Sequence, residues 1–241
     1  MLTILFISFV AGTATLAGSG AVMVGGRPSQ RSLALFLGAA AGIMTGVVVF
    51  DLLPSAYSYG SLTGTVAGFS LGVLMLLVLD NLFRAIMGRF GTVRYNNVYF
   101  RMGVMIAVGI ALHDFPEGIA IAAGYSAETD LGLLIAIAIT LHNIPEGMAC
   151  TVPLWLGGLR RRHIVMMMAF VSLITPVGTL AGYWLFSISP GLLSLLLAFA
   201  AGAMAYIVLV ELIPQGLRCG KAAAAAGAAA GLGLIQILSM I

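Results

Sequence analysis

Two of the three histidines in this chain open the same six-residue pattern, His113-Asp-Phe-Pro-Glu117-Gly118 and His142-Asn-Ile-Pro-Glu146-Gly147, 29 residues apart. On a helix, residues four apart share a face, so within each copy an imidazole and a carboxylate can grip one cation. Imidazole suits zinc, iron, copper and nickel, while carboxylate also accepts manganese, magnesium and calcium; the mixture favours a first-row transition ion. Pro116 and Pro145 cannot donate a backbone hydrogen bond. Each leaves the carbonyl four residues earlier, Leu112 or Leu141, without its usual partner and tends to kink the helix. Each following glycine loosens the turn further, and the kink can bring the neighbours Asp114 and Asn143 toward the same point. The candidate metal ligands are therefore His113, Glu117, His142 and Glu146, with Asp114 and Asn143 behind them.

A bound metal could activate water, which makes an intramembrane metal-dependent hydrolase one alternative. The order His-x-x-x-Glu is not the HExxH of zinc hydrolases, however, and no separate nucleophile or base stands out. A passive metal channel could use the same ligands and is a second alternative.

The elements that must position these groups are helices in lipid. Hydrophobic residues make up 61% of 241 positions and charged residues only 8%, far more apolar material than a soluble domain of this length could bury. A helix crossing the hydrocarbon core needs roughly 20 apolar residues. Eight such stretches fit, at 2–24, 33–56, 62–83, 102–125, 131–155, 164–186, 191–213 and 222–241, and so little chain remains between them that 1–241 reads as one domain. His113 and His142 lie about 11 residues into spans four and five, roughly 16 Å deep at 1.5 Å per residue. That is the midplane of a core about 30 Å thick. Ionisable groups there are costly unless paired, hydrated or bound to an ion, and six polar groups in duplicated motifs exceed what helix-to-helix glue requires.

The eleven basic residues fall into alternate gaps: Arg27 and Arg31; Arg84, Arg89, Arg94 and Arg101; Arg160, Arg161 and Arg162; Arg218 and Lys221. With positive residues retained in the cytoplasm, both termini face outward across a cell (inner) membrane. The net charge of +3 thus reads as a topology signal, and nucleic acid is not an expected partner.

A shift of 160 residues aligns Ala41-Gly-Ile-Met through Asp51-Leu-Leu-Pro54 with Ala201-Gly-Ala-Met through Glu211-Leu-Ile-Pro214. Under the charge-derived topology the two copies point in opposite directions. Carriers use inverted repeats because two such halves can exchange shapes, giving outward- and inward-open states of similar energy. Asp51 and Glu211 would serve a cation as entrance and exit, and Cys150, four residues after Glu146, could line the path as a soft ligand.

At this point the residues resemble a known family. His113–Gly118 and His142–Gly147 in adjacent helices are similar to the two signature motifs of the ZIP (Zrt/Irt-like) metal transporters, and so are the acid-x-x-Pro ends of spans two and seven and the segment Ser172-Leu-Ile-Thr-Pro-Val-Gly178. The resemblance implies an all-α, polytopic fold of eight transmembrane helices in a 3+2+3 arrangement, with spans 1–3 and 6–8 as the inverted repeat around spans four and five. It implies uptake of divalent metal toward the cytoplasm, zinc first and iron, manganese, cadmium or cobalt next, with no prosthetic group. It also implies a homodimer in the lipid bilayer and an elevator-like sliding of spans one, four, five and six against the rest. Bacterial relatives with a two-metal centre often carry Glu where this chain has Thr175, and family members commonly have Asn where it has Asp114. The short connection between spans three and four, without histidine, is of the prokaryotic type.

Overall fold

The computed structural model describes residues 1–26, 29–90, 98–127, 129–184 and 190–238, and among them every regular element is a helix. In lipid the backbone must satisfy its own hydrogen bonds, which a helix does within one segment. In chain order these are α1 (Leu2–Gly25), α2 (Gln30–Val47), a π-helical turn (Val48–Leu52), α3 (Leu53–Tyr59), α4 (Leu62–Phe90), α5 (Val98–Ala127) and α6 (Thr129–Leu156). There follow α7 (Arg161–Ser172), α8 (Ile174–Trp184), α9 (Pro190–Ile207), a second π-helical turn (Val208–Leu212) and α10 (Ile213–Leu238). Arg27 and Arg94 lie outside the described residues, as do the last residues of the sixth and eighth expected spans.

Among the described residues, seven helical runs are long and apolar enough to cross a membrane. The difference from eight lies at the C-terminal end, where Pro190–Ile237 forms one run of 48 residues. Spans two and seven do not stop at their prolines. Each proline ring would press on the carbonyl four residues back, Phe50 or Val210, and the wider π-turn just before Pro54 and Pro214 moves that carbonyl aside so the helix continues. Inside α10 the backbone leaves the helical region at Gly220 (φ 166°, ψ 101°).

The helices α5 and α6 form an antiparallel hairpin: Gly132 packs on Tyr125, Leu154 on Gly103, and Phe100 on Gly157. Both run without a break through Pro116 and Pro145. The α5 span is 67% buried inside the protein while the α4 span is only 22% buried, which places α5 at the centre and α4 at the lipid-facing edge. Four parallel pairs form, two of them with a hairpin helix as one member. Gly38 and Gly42 of α2 meet Ala224 and Ala228 of α10, and Gly68 and Gly72 of α4 meet Leu195 and Phe199 of α9. On α1, Ala11 and Ser19 meet Asn143 and Thr151 of α6, and Phe115 and Gly118 of α5 meet Gly178 and Thr179 of α8.

Candidate metal centre

The glycines that close the two motifs explain how the site is held. A Cβ on Gly118 would collide with the carbonyl oxygen of Thr175, and one on Gly147 with that of Thr15. Each glycine thus lets α8 or α1 approach the hairpin by backbone, one residue from a candidate ligand. Thr15 and Thr175 are related by the same 160-residue shift as Asp51 and Glu211, as are Gly18 and Gly178, whose missing Cβ atoms make room for the carbonyls of Ile144 and Phe115. Pro176 deprives the Ser172 carbonyl of its helical partner, and that oxygen packs against Gly12 of α1.

Between these flanking helices the hairpin brings the six motif side chains together, and all six are at most 3% exposed. The pairing crosses the hairpin instead of staying within each motif. His113 Nε2 lies 3.0 Å from Glu146 Oε2, and His142 Nε2 lies 3.3 Å from Glu117 Oε2. Asp114 Oδ1 is 3.5 Å from His113 Nε2, and ligand atoms of His113, Asp114 and Glu146 all fall within 4.8 Å of one another. The equivalent position on α6 is Asn143, whose Nδ2 donates to the Ala11 carbonyl at 3.0 Å.

Polar demand in this cluster exceeds supply. His113 Nδ1, both carboxylate oxygens of Asp114, Glu117 Oε1, Asn143 Oδ1 and Glu146 Oε1 are buried without a hydrogen-bond partner. Buried polar groups in folded proteins are nearly always satisfied, and each exception requires a cause. In the state that ligates a metal, with three carboxylates ionised and two imidazoles neutral, the cluster would carry a formal charge of −3 in a place where lone charges are strongly disfavoured. A divalent cation supplies both the missing charge and a partner for oxygen and nitrogen lone pairs, and the donor set is one that a first-row metal accepts.

A cavity of about 330 Å³ leads to one half of this centre. Its walls include Asp51, Ser55 and Tyr59 beside Glu117 and His142, and it extends toward Gly124 on α5. His113, Asp114 and Glu146 lie beyond it. Asp51 is exposed, whereas Glu211 is only 4% exposed and receives Arg101 through Nη1 at 2.7 Å and Nη2 at 3.2 Å. Arg101 also reaches Asp80, which further accepts from Arg84 Nη2 at 2.8 Å and from the Tyr206 hydroxyl at 3.3 Å. Arg101 is therefore not a connection residue, as its place among the topology charges suggested; it lies in the first turns of α5 with two buried acids as partners. Cys150 is fully buried and its thiol donates to the Gly103 carbonyl at 3.4 Å. Thr175 is fully buried with an unpartnered hydroxyl, and so is Thr15.

Asp80, Tyr206 and Thr15 are not among the residues that the sequence singles out, and Arg101 is there only as a topology charge. Asp80 carried a usable signal, an acid inside an apolar span with an arginine four residues on.

The helices and the cluster they enclose define the class first: an integral membrane protein with a buried anionic imidazole–carboxylate centre suited to a metal cation. Residues 92–239 match the ZIP zinc transporter family. The chain is 32% identical over 236 residues to the zinc transporter ZupT of Chlorobium luteolum, which covers 90% of this chain and 89% of that protein. It is 31% identical over 219 residues to the zinc transporter ZupT of an Enterobacter species, covering 87% of this chain and 85% of that protein. The chain belongs to the ZIP family, and it is a transporter of metal ions, not an enzyme.

Proposed function

We propose that the protein carries zinc into the cytoplasm through a site made of His113, Asp114, Glu117, His142, Asn143 and Glu146. The observation that carries this reading is the reciprocal pairing of each imidazole with the opposite helix's glutamate, among buried oxygen and nitrogen atoms with no other partner. Zinc is the ion named for the relatives; iron, manganese, cadmium and cobalt accept similar donors and are the expected competitors. Carriage by alternating exposure is favoured over a continuous pore because the cavity from the Asp51 side stops at Glu117 and His142 while Arg101 fills the far end.

The reading includes a single domain of eight crossings. A run of 48 residues would be about 72 Å long as one straight helix, more than twice a hydrocarbon core, and the non-helical Gly220 divides it into two limbs. With eight crossings and alternating direction, spans one and five, two and eight, three and seven, and four and six are each parallel. The four parallel helix pairs described above have those directions. Exchanging the halves of an inverted 3+2+3 repeat maps the pair of spans two and eight onto seven and three, and one and five onto six and four. Both termini then lie outside the cytoplasm of an inner membrane. The lipid-facing α4 edge is compatible with a homodimer.

Replacement of Glu117 or Glu146 by Ala is expected to abolish most zinc uptake by purified protein in liposomes while leaving the protein inserted. Unchanged flux in either variant would place the site elsewhere, and competing metals in the same assay rank the ions.

A further inference from the structure

The two ends of the cavity path differ in one respect that the repeat makes conspicuous. Asp51 and Glu211 occupy equivalent positions in the two π-helical turns. Among the described residues Asp51 has no ion pair and lines the open cavity, whereas Glu211 is held by both terminal nitrogens of Arg101. The two acids serve opposite ends of α5. Arg101 and Gly124, which meet the Glu211 and Asp51 sides, are separated by about 34 Å along that helix.

The partners of Arg101 lie on a different set of helices from its own. Asp80 is on α4 and Glu211 follows α9, and those helices are joined by glycine-to-backbone contacts. By contrast α5, which carries Arg101, His113 and Glu117, makes its glycine-to-backbone contacts with α8 and with its hairpin partner α6. Between α5 and α9, Gly109 faces only the side chain of Ile207. The Arg101 ion pairs thus fasten the helix that carries metal ligands to the α4–α9 pair at a boundary that is packed by side chains and, among the described residues, has no glycine-to-backbone contact. The side chain of Arg101 is 19% exposed and those of Asp80 and Glu211 are 3% and 4% exposed, so water screens this fastening weakly.

We propose that Arg101 is a latch: by bridging Asp80 and Glu211 it holds the Glu211 end shut while the Asp51 end is open, and its release accompanies exposure of the metal centre to the other side. The latch rests on the carrier reading above. It gives Asp80 and Tyr206 a purpose, since Asp80 orients the guanidinium from the α4 side and is itself fixed by Arg84 and the Tyr206 hydroxyl. It also accounts for one half of the repeat being open and the other closed.

The test is the reactivity of single cysteines toward a membrane-impermeant maleimide, in protein whose Cys150 and Cys219 are replaced by Ala and Ser. One station is Ala138→Cys on the cavity wall; the other is Met105→Cys, buried one turn beyond Arg101 toward His113. Arg101→Gln should raise labelling at the Met105 station at least ten-fold and lower it at the Ala138 station. The charge-exchanged pair Arg101→Glu with Glu211→Arg should move both back toward the parent. Glu211→Gln, which breaks the same pair from the other side, should act as Arg101→Gln does. Unchanged labelling in a monodisperse Arg101→Gln or Glu211→Gln protein overturns the latch. Failure of both to yield monodisperse protein also overturns it, marking the network as a structural staple. Because labelling needs no metal, a shift at both stations in protein that never transports zinc would sustain the latch and refute only zinc as the cargo.

Discussion

Asp114→Asn separates a ligand from a spectator, because the two predict opposite effects on the metal-free and metal-bound protein. Asp114 and Glu146 place oxygens within 4.8 Å of one another in a buried cluster. If both stay ionised without metal, two unit charges at that distance repel by about 3.5 kcal/mol at an effective dielectric constant of about 20. Removing one of them should therefore stabilise the metal-free protein by up to that amount, or about 7–14 °C at roughly 2–4 °C per kcal/mol. Losing an anionic ligand should weaken zinc at least as much as losing a supporting partner does, about 10- to 100-fold. If the parent is measured at a zinc concentration about 1,000 times its Kd, ligand stabilisation of about 4.1 kcal/mol falls to about 1.4 on a hundred-fold weakening. The assay is thermal unfolding in detergent with and without zinc, followed by tryptophan fluorescence. The expected result is a higher metal-free Tm and a smaller zinc-induced shift. A metal-free Tm at or below the parent's, together with an undiminished zinc shift, would refute the placement of Asp114 at the ion.

Thr175→Glu puts a carboxylate on the buried α8 backbone that packs against Gly118, and it should raise the metal retained per protein after desalting; elemental analysis showing no gain would contradict this. Gly147→Ala drives a methyl into the Thr15 carbonyl, an overpacking expected to cost about 1–3 kcal/mol and to lower Tm without changing which metals compete. A Tm equal to the parent's would mean that α1 and α6 do not interlock there. Asp51→Asn should raise the half-saturating zinc concentration a few-fold with little change in maximal uptake, and the difference should shrink at high salt, as expected for long-range attraction into an exposed mouth. An equal loss at low and high ionic strength would count against that role.

Much of the arrangement was legible in the residues, and the misses have physical causes. Hydropathy and the repeated motif located the buried polar cluster, since charged groups in an apolar span are rare without a partner. The cross-pairing was also latent in the sequence. Two copies of the same pattern at equal depth in an antiparallel hairpin set each histidine level with the other copy's glutamate. The i to i+4 rule considers one helix alone and therefore paired His113 with Glu117. That the helices stay continuous at the prolines was not legible for a related reason. A proline's lost hydrogen bond is local, but whether a helix breaks depends on its neighbours, and at Pro116 and Pro145 the flanking helices α8 and α1 pack tightly enough to keep α5 and α6 continuous. The glycine after each proline is there for that packing. Arg101 was assigned by position in the chain, and only the fold could reveal two buried acids separated from it by 21 and 110 residues.

The departures from symmetry are where transport imposes conditions that folding does not. The repeat of His-x-x-Pro-Glu-Gly supplies two equivalent halves, and a fully symmetric centre with Asp at both 114 and 143 would hold four buried carboxylates. Such a centre would bind a divalent ion against a residual charge of −2, and a carrier must let the ion go. Asn143 removes one of those charges and directs its amide hydrogen to the Ala11 carbonyl, so that it also ties α6 to α1. The remaining set, at −3, leaves a residual of −1 with the ion bound, with its stronger half, His113, Asp114 and Glu146, beyond the reach of the cavity and its weaker half, His142 and Glu117, on the cavity wall. On the proposed function, an ion arriving past Asp51 would meet the weaker half first and gain charge compensation as it moves inward. The same polarity would draw the ion toward Asp114 and so closer to the Arg101 end, where a guanidinium neutralises two further carboxylates and, on the latch proposal, would release them as the helices part.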